Sequence, residues 1–188
     1  EIASKRPKLV ERVTLDMSCA AIKSRILPAR NPDTGFPILY ARIVYKDYEF
    51  LEEQLATNYA MENIFCYSID KKAPELVHDR FVRLQTCLPN VVISKKQLNV
   101  TDYGHNQNEA HLDCLHSVRK RKWKYAMLLQ NHDVMIKTHR DMTEILKIYG
   151  GANDMQISQC DPDRCLSSLE KNLGRLQLCP KSLDSYEI

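Results

Sequence analysis

Glycine is scarce in this sequence, which has only 5 glycines among its 188 residues. None of the motifs GxGxxG, GxxxxGK[ST] and GxSxG occurs. Their absence excludes glycine-loop dinucleotide sites, P-loop nucleotide hydrolases and the nucleophile elbow of α/β-hydrolases. HExxH and CxxC are also missing, and with them the common zinc signatures. No stretch approaches the roughly 20 apolar residues that a membrane-spanning helix needs, and no signal peptide is visible.

Charge is nearly balanced, with 27 Lys and Arg against 24 Asp and Glu and a net charge of +3. The one dense basic run, at positions 119–122, falls at the end of a predicted helix, where cations complement the helix dipole. The other basic residues are mixed with acids. We therefore predict no nucleic-acid partner. The length and the 44% hydrophobic content predict one globular domain with a proper core.

Seven widely spaced cysteines leave two interpretations open: buried free thiols in the cytosol, or disulfides in an oxidising compartment. They are Cys19, Cys66, Cys87, Cys114, Cys160, Cys165 and Cys179. Asn99 begins the sequon Asn99-Val100-Thr101 in a polar loop, which makes Asn99 a candidate glycosylation site. Together these features favour the secretory pathway.

Apolar strands alternate with amphipathic helices along the middle of the chain. Predicted strands cover Ile38–Tyr45, Ile64–Ile69, Asn90–Ser94 and Tyr125–Gln130, and four-residue apolar spacing predicts helices between and after them. Such alternation is typical of a parallel sheet covered on both faces, because crossovers need helices to return. The predicted fold class is α/β, a three-layer Rossmann-like sandwich with a mainly parallel sheet.

Three regions are predicted. Residues 1–37 are interpreted as a lead-in or stem segment outside the core, because four prolines punctuate them. Residues 38–158 form the α/β domain, with Met155–Ser158 as a possible last strand. Residues 159–188 are interpreted as an irregular, truncated tail, and the sheet as incomplete at its C-terminus.

Polar clusters follow the predicted strands, and ligands of open parallel sheets bind beyond the carboxyl ends of strands. The clusters are Lys46-Asp47, Asp70, Tyr103-Gly104-His105 and Asn131-His132-Asp133. Asp70 has two interpretations of equal weight, a hydrogen-bond acceptor for a nucleoside or a helix or turn cap. An α/β nucleotide site without a glycine loop leaves nucleotide-sugar transferases as a natural class.

No metal site is expected. His105, His111 and His116 are spaced by six and five residues and do not share a helical face, so exposed or capping positions are predicted for them. Asp161-Pro162-Asp163 matches the DxD pattern that can hold a divalent ion, but proline between two acids is also turn chemistry, which we favour.

Several segments, in order over residues ~36–150, resemble one family. They are Phe36–Tyr40 with Ile43–Lys46, Ile64–Lys72, Cys87–Val91, Leu112–Leu115, and Trp123–Asp133 completed by Ile136–Thr138. In this order they resemble the core-2/I-branching β-1,6-N-acetylglucosaminyltransferases. Two departures are Met135, where the family usually has proline, and Tyr103, where tryptophan is expected.

The resemblance implies a GT-A type fold and a UDP-sugar donor, typically UDP-N-acetylglucosamine, with a glycan or glycoprotein as acceptor. It also implies inverting displacement without a metal, and a type II membrane enzyme of the Golgi lumen whose anchor lies outside this sequence. By resemblance, Val44 and Asp70 contact the uridine, Tyr103 and Gly104 line the donor site, and Asp133 lies close to the sugar.

The resemblance further implies disulfides Cys19–Cys87 and Cys66–Cys114, with the pairing of the other three cysteines unassigned. The family's catalytic glutamate and its pyrophosphate-binding basic residues are expected beyond Ile188. Two alternatives stay open: a non-catalytic sugar- or nucleotide-binding member of the family, and an unrelated cytosolic Rossmann-like protein.

Overall fold

A computed structural model describes residues 10–154, in which strands and helices alternate as the apolar pattern predicts. After a helix and a 3₁₀ turn (Leu27–Ala29) in the lead-in, each strand is followed by a helix. The elements are α1 Cys19–Ile26, β1 Ile38–Val44, α2 Tyr48–Asn58, β2 Ile64–Ile69, α3 Glu75–Cys87, β3 Val91–Ile93, α4 Gln107–Val118, β4 Tyr125–Leu129 and α5 His139–Tyr149. The predicted strands are confirmed to within a residue at each end.

The sheet has the order β3-β2-β1-β4, and every neighbouring pair is parallel. In the centre of the sheet, Arg42 of β1 lies opposite Tyr67 of β2 and Leu129 of β4. All carboxyl ends therefore meet at one edge, as crossover connections through helices require. The predicted α/β class with a mainly parallel sheet is confirmed.

Helices cover both faces of the sheet, which gives three layers. On one face, α4 packs through Cys114 and Val118 against Leu39, Ala41, Ile64 and Cys66 of the two central strands. On the other face a larger core unites side chains of α1, α2, α3 and α5 with Tyr40, Val44, Phe65 and Tyr67. Because both faces are covered, every residue of β1 and β2 is buried, and this is why these strands are almost continuously apolar.

Strand β4 is less covered than the pattern predicts. It lies at one edge of the sheet formed by residues 10–154, and its residues are only partly buried. Leu128 keeps 55% of its surface exposed. Apolar sequence alone therefore did not distinguish this edge strand from the buried strands β1 and β2.

The interpretation of residues 1–37 as lying outside the core is wrong for α1. Ile22 and Ile26, four residues apart on one side of this helix, are fully buried in the larger core. Arg25 of the same helix forms an ion pair with the buried Glu52 of α2. The segment is too short for its periodicity to stand out in the sequence, and tertiary packing fixes it.

Both disulfides implied by the resemblance are present. Cys19 of α1 joins Cys87 of α3 with a Cα–Cα distance of 5.1 Å, and Cys66 of β2 joins Cys114 of α4 at 5.7 Å. These distances lie within the usual range for disulfides. One bridge joins the lead-in helix α1 to α3 within the same helical layer, and the other fastens α4 to the sheet.

Helix α5 is capped at both ends by residues suited to those positions. The Thr138 side chain accepts a hydrogen bond from the Asp141 amide at 3.1 Å, and Gly150 ends the helix with a left-handed φ of 57°.

Across residues 10–154, no helix is both long and apolar enough to cross a bilayer. The interpretations of Met155–Ser158, Asp161-Pro162-Asp163, Cys160, Cys165, Cys179 and the tail lie outside the described residues, and the domain boundaries stay predictions.

Candidate functional site

A cleft of about 270 Å³ opens at the carboxyl edge of the sheet. Its walls come from the end of β1 (Ile43, Tyr45), the end of β2 (Asp70, Lys72), the loop before α4 together with that helix's first residue (Val100, Thr101, Asp102, Gln107), and the turn after β4 (Gln130–Asp133). Ligand sites of open parallel sheets occur at this edge. The volume lies just below the usual ~300–1,000 Å³ of small-molecule pockets, which suits one part of a nucleotide sugar.

Asp70 connects two walls of the cleft. Its Oδ1 accepts a hydrogen bond from the Lys72 amide at 2.7 Å, and its Oδ2 accepts one from the Val100 amide at 2.9 Å. The capping role left open for Asp70 is therefore observed. An ionised carboxylate offers about four lone-pair sites, so two acceptor positions are left on this 4%-exposed group for a ligand.

The turn after β4 is held from inside by Arg42. The Arg42 Nη1 group donates to the carbonyl oxygens of Gln130 (3.2 Å), Asn131 (3.3 Å) and Asp133 (2.8 Å). The Asp133 carboxylate accepts a hydrogen bond from the Gln130 amide at 2.7 Å, which closes the turn a second time. The carbonyl groups of Gln130, Asn131 and Asp133 are thus directed towards Arg42, and residues 130–133 line the cleft.

Asn131 fastens this turn to β1. Its Oδ1 accepts hydrogen bonds from the amides of Tyr45 at 2.7 Å and Lys46 at 3.3 Å. These two donors fix the orientation of the side-chain amide. The Asn131 Nδ2 group is buried and has no hydrogen-bond partner in residues 10–154. A buried donor without a partner is costly and is often explained by a water or ligand that completes the site.

A histidine–aspartate pair lies at the rim of the cleft. His132 Nε2 is 2.7 Å from Asp47 Oδ2, and the His132 ring contacts those of Tyr45 and Phe50. Asp47 has a left-handed φ of 58° where β1 turns into α2. Two of the polar clusters that the sequence placed after separate strands, Lys46-Asp47 and Asn131-His132-Asp133, are therefore in direct contact.

The residues predicted to bind a donor divide into two groups. Asp70 and Asp133 line the cleft, whereas Val44, Tyr103 and Gly104 do not. The Val44 side chain is fully buried in the core, although the Val44 backbone carbonyl accepts a hydrogen bond from the Asp70 amide at 2.9 Å. Tyr103 is 90% exposed in the loop beside the cleft. The donor-binding roles of all five residues stay predictions.

Two groups near the cleft were not recognised in the sequence. Arg42 was overlooked, although an arginine inside an otherwise apolar strand was a visible anomaly. Val100, Thr101 and Gln107 line the cleft, and their loop is held against the end of β2 by hydrogen bonds of Asp70, Lys71 and Lys72. No signal in the sequence separates them from other loop residues. Asn99 precedes this wall and is exposed, and its glycosylation stays a prediction.

The prediction of exposed or capping positions is wrong for His111, which is buried on α4, while His105 and His116 are exposed. Burial lowers the pKa of His111, and the negative charge of Asp133 partly opposes that shift. Within the described residues, no group of three or more His, Cys, Asp or Glu side chains could hold a metal ion. The expectation of a metal-free site stays a prediction.

A parallel α/β sheet with a cleft beyond its carboxyl ends defines the broad class of open-sheet ligand-binding domains. Comparison with known proteins is more specific, because the Core-2/I-Branching enzyme family model matches residues 38–172. This match covers more than half of the sequence. The chain belongs to the Core-2/I-branching enzyme family.

Similar proteins carry the description beta-1,3-galactosyl-O-glycosyl-glycoprotein beta-1,6-N-acetylglucosaminyltransferase. The Bovine herpesvirus 4 protein is 29% identical over 164 residues, which is 83% of this chain and 37% of that protein. The human protein, numbered 3 in its name, is 30% identical over 131 residues, 69% of this chain and 30% of that protein. The rat protein of the same name is 27% identical over 172 residues, 87% of this chain and 39% of that protein. The chain therefore spans well under half of the length of these relatives.

Proposed function

We propose that this chain forms the nucleotide-binding part of a glycosyltransferase that transfers N-acetylglucosamine from a UDP-sugar to a glycan acceptor. The observation that carries the proposal is the cleft at the carboxyl edge of the sheet, with Asp70 in its wall, in a member of this family. An acid at the end of a strand is well placed to accept hydrogen bonds from ribose or base.

The charges of the cleft favour the nucleoside as the part that binds here. Asp70, Asp102 and Asp133 line it, against the ammonium of Lys72 and the His132 ring. The excess of acids disfavours a diphosphate in the same place. We therefore assign the cleft to uridine, with the diphosphate held by cations elsewhere in the enzyme.

The reaction proposed is an inverting displacement. A carboxylate base takes the proton of the acceptor hydroxyl, the oxygen attacks the anomeric carbon, and UDP leaves with the bonding electrons. Charge on the departing UDP must be neutralised, and we propose that basic side chains rather than a metal do this. We further propose the Golgi lumen as the compartment, which the two disulfides support because such bonds persist in oxidising surroundings.

Calorimetric titration of the whole protein with uridine, UDP and UDP-N-acetylglucosamine tests the nucleotide site. We expect Asp70→Ala to weaken uridine and UDP binding by ~1–3 kcal/mol, because hydrogen bonds to a charged group are lost. Asp79→Ala is the matched control, since this exposed acid on α3 does not line the cleft. Equal affinity of wild type and Asp70→Ala would return Asp70 to a purely capping role.

Two further measurements separate the parts of the proposal. Binding of UDP should be the same with EDTA as with Mn²⁺, because no metal takes part; a loss in EDTA would contradict that step. Release of UDP from UDP-N-acetylglucosamine in the presence of a galactose-containing acceptor tests transfer. Tight UDP binding without turnover would identify a binding protein instead of an enzyme.

A further inference from the structure

Arg42 is a charged residue in the middle of a buried central strand. Only 5% of its surface is exposed, and every residue of β1 is buried. Burying a guanidinium costs free energy unless hydrogen bonds or opposite charges compensate for the lost water. No ion pair joins Arg42 to a carboxylate in residues 10–154, and burial lowers the pKa of its guanidinium. The position needs an explanation beyond packing.

The partners of Arg42 supply that explanation. Its Nη1 group is directed at three carbonyl oxygens of the turn after β4, those of Gln130, Asn131 and Asp133. Carbonyl dipoles that converge on one point repel each other, and a cation at that point turns the repulsion into attraction. Each of the residues 130–133 also lines the cleft.

We propose that Arg42 is a positioning residue of the candidate site, which holds the Gln130–Asp133 turn in the conformation that forms one wall of the cleft. It acts from behind the wall, since it does not itself line the cleft. The effect on ligand binding rests on the proposed function. The effect on the turn does not, because it follows from the hydrogen bonds alone.

Arginine suits this task better than lysine. A guanidinium is planar, keeps its charge when buried and offers several donors in fixed directions, whereas an ammonium is a compact and strongly hydrated point charge. In Arg42→Lys we expect the charge to be kept and the simultaneous contact with three carbonyls to be lost. Arg42→Met removes both and keeps a side chain of similar length.

Arg80 offers a matched control. It is also buried, with 2% of its surface exposed, and its Nη atoms bind the Glu11 carboxylate and the Arg12 carbonyl. It lies on α3 and does not line the cleft. Arg80→Met therefore removes a guanidinium that is buried about as deeply as that of Arg42, without affecting the turn after β4.

The first measurement is amide hydrogen exchange in the unliganded whole protein. We expect the Gln130 and Asp133 amides to exchange about tenfold faster or more in Arg42→Met, with Arg42→Lys in between, while Arg80→Met leaves them unchanged. Wild-type protection of this turn in Arg42→Met would overturn the proposal. If Arg42→Met does not fold, Arg42→Lys is used to test the proposal. Wild-type exchange rates of the turn amides in Arg42→Lys would then overturn it.

The second measurement is uridine affinity by calorimetry, well below the melting temperature of each variant. We expect Arg42→Met to lose about tenfold or more and Arg42→Lys to recover part of it, with Arg80→Met equal to wild type. Equal losses in Arg42→Met and Arg80→Met would reduce Arg42 to general stabilisation. If wild type binds no uridine, the proposed function fails, and the exchange experiment still tests Arg42.

Discussion

At each end of the sheet a buried asparagine side chain binds the backbone of a neighbouring segment, but the two asparagines differ in their remaining hydrogen bonds. At the amino end, Asn63 precedes β2; at the carboxyl end, Asn131 follows β4. Each side chain is almost fully buried, and each accepts backbone hydrogen bonds that fasten a neighbouring segment. They differ in the hydrogen bonds of the amide nitrogen and in the cleft that opens beside Asn131.

Asn63 uses its whole amide group. Its Oδ1 accepts from the Ile38 amide at 2.9 Å, and its Nδ2 donates to the Asn58 carbonyl and lies 3.2 Å from Nδ1 of the buried His139. Because an amide nitrogen can only donate, Nδ1 of His139 accepts and the ring proton lies on Nε2. Asn90 donates to two more carbonyls beside it, those of Ala60 and Asn63. The Asn90 Oδ1 and His139 Nε2 atoms at this end are nevertheless buried without a hydrogen-bond partner among residues 10–154.

Asn131 uses only half of its amide group, since Nδ2 has no partner among residues 10–154 while the cleft lies alongside. Unpaired buried atoms also occur at the amino end, so the unpaired Asn131 Nδ2 group does not mark a site by itself. The contrast teaches that such a group points to a candidate site only where a cleft lies beside it.

The largest loss of stability should come from removing the Cys19–Cys87 bridge. Cys87 is the last residue of α3, which leads into the amino end of the sheet. Replacing both cysteines with serine frees a loop with a sequence separation of 68 residues. The chain-entropy model gives a loss of about 4 kcal/mol in the free energy of unfolding. Urea denaturation measures the loss, and uridine affinity of the folded protein should not change. A changed affinity would mean that the two ends are coupled.

Asn63→Ala should have the next largest effect, a loss of about 3 kcal/mol in the free energy of unfolding. It leaves the Ile38 amide and the Asn58 carbonyl without partners in a fully buried place. Denaturation of the variant tests this, with Asn108→Ala on the exposed side of α4 as control. A loss no larger than that of the control would remove the amino end as a structural anchor.

Asn131→Ala, unlike Asn63→Ala, should weaken ligand binding more than it lowers stability. We expect a smaller loss of about 1 kcal/mol in stability, since Tyr45 and Lys46 are exposed and water can replace the lost acceptor. We also expect a several-fold weaker uridine affinity, because the cleft wall loses its hydrogen bonds to Tyr45 and Lys46 after β1, although Arg42 still holds the turn. If Asn63→Ala and Asn131→Ala change stability and affinity in the same proportion, the distinction between the two ends is wrong.

The smallest effect concerns His111, which lies on the face of the sheet that α4 covers, in the electrostatic range of Asp133. Burial lowers its pKa, so the unfolded chain takes up a proton first as pH falls below the ordinary histidine pKa of about 6.5. The free energy of unfolding must therefore decrease as the pH is lowered through this range. His111→Gln should flatten this dependence, and His116→Gln, an exposed change on the same helix, should not. Identical pH profiles for wild type and His111→Gln would contradict the assignment.

The sequence by itself determined the order of strands and helices, because parallel strands buried on both faces must be apolar and the helices between them must be amphipathic. It also located the edge at which the cleft opens, since the polar clusters follow the strands. Segments that resemble one family implied the two disulfides, which composition and spacing alone left open. These features are local, or they follow from a rule that links local pattern to topology.

Tertiary structure alone decided which polar residues work together. Arg42 reaches the turn after β4 only because parallel pairing places it opposite Leu129, a partner far away in the sequence. Asp70 makes Val100 a cleft residue by binding its amide across a loop, and Ile22 becomes core through the packing of α1. Each of these contacts joins distant segments, and their free energy depends on register and burial, which no local pattern of residues encodes.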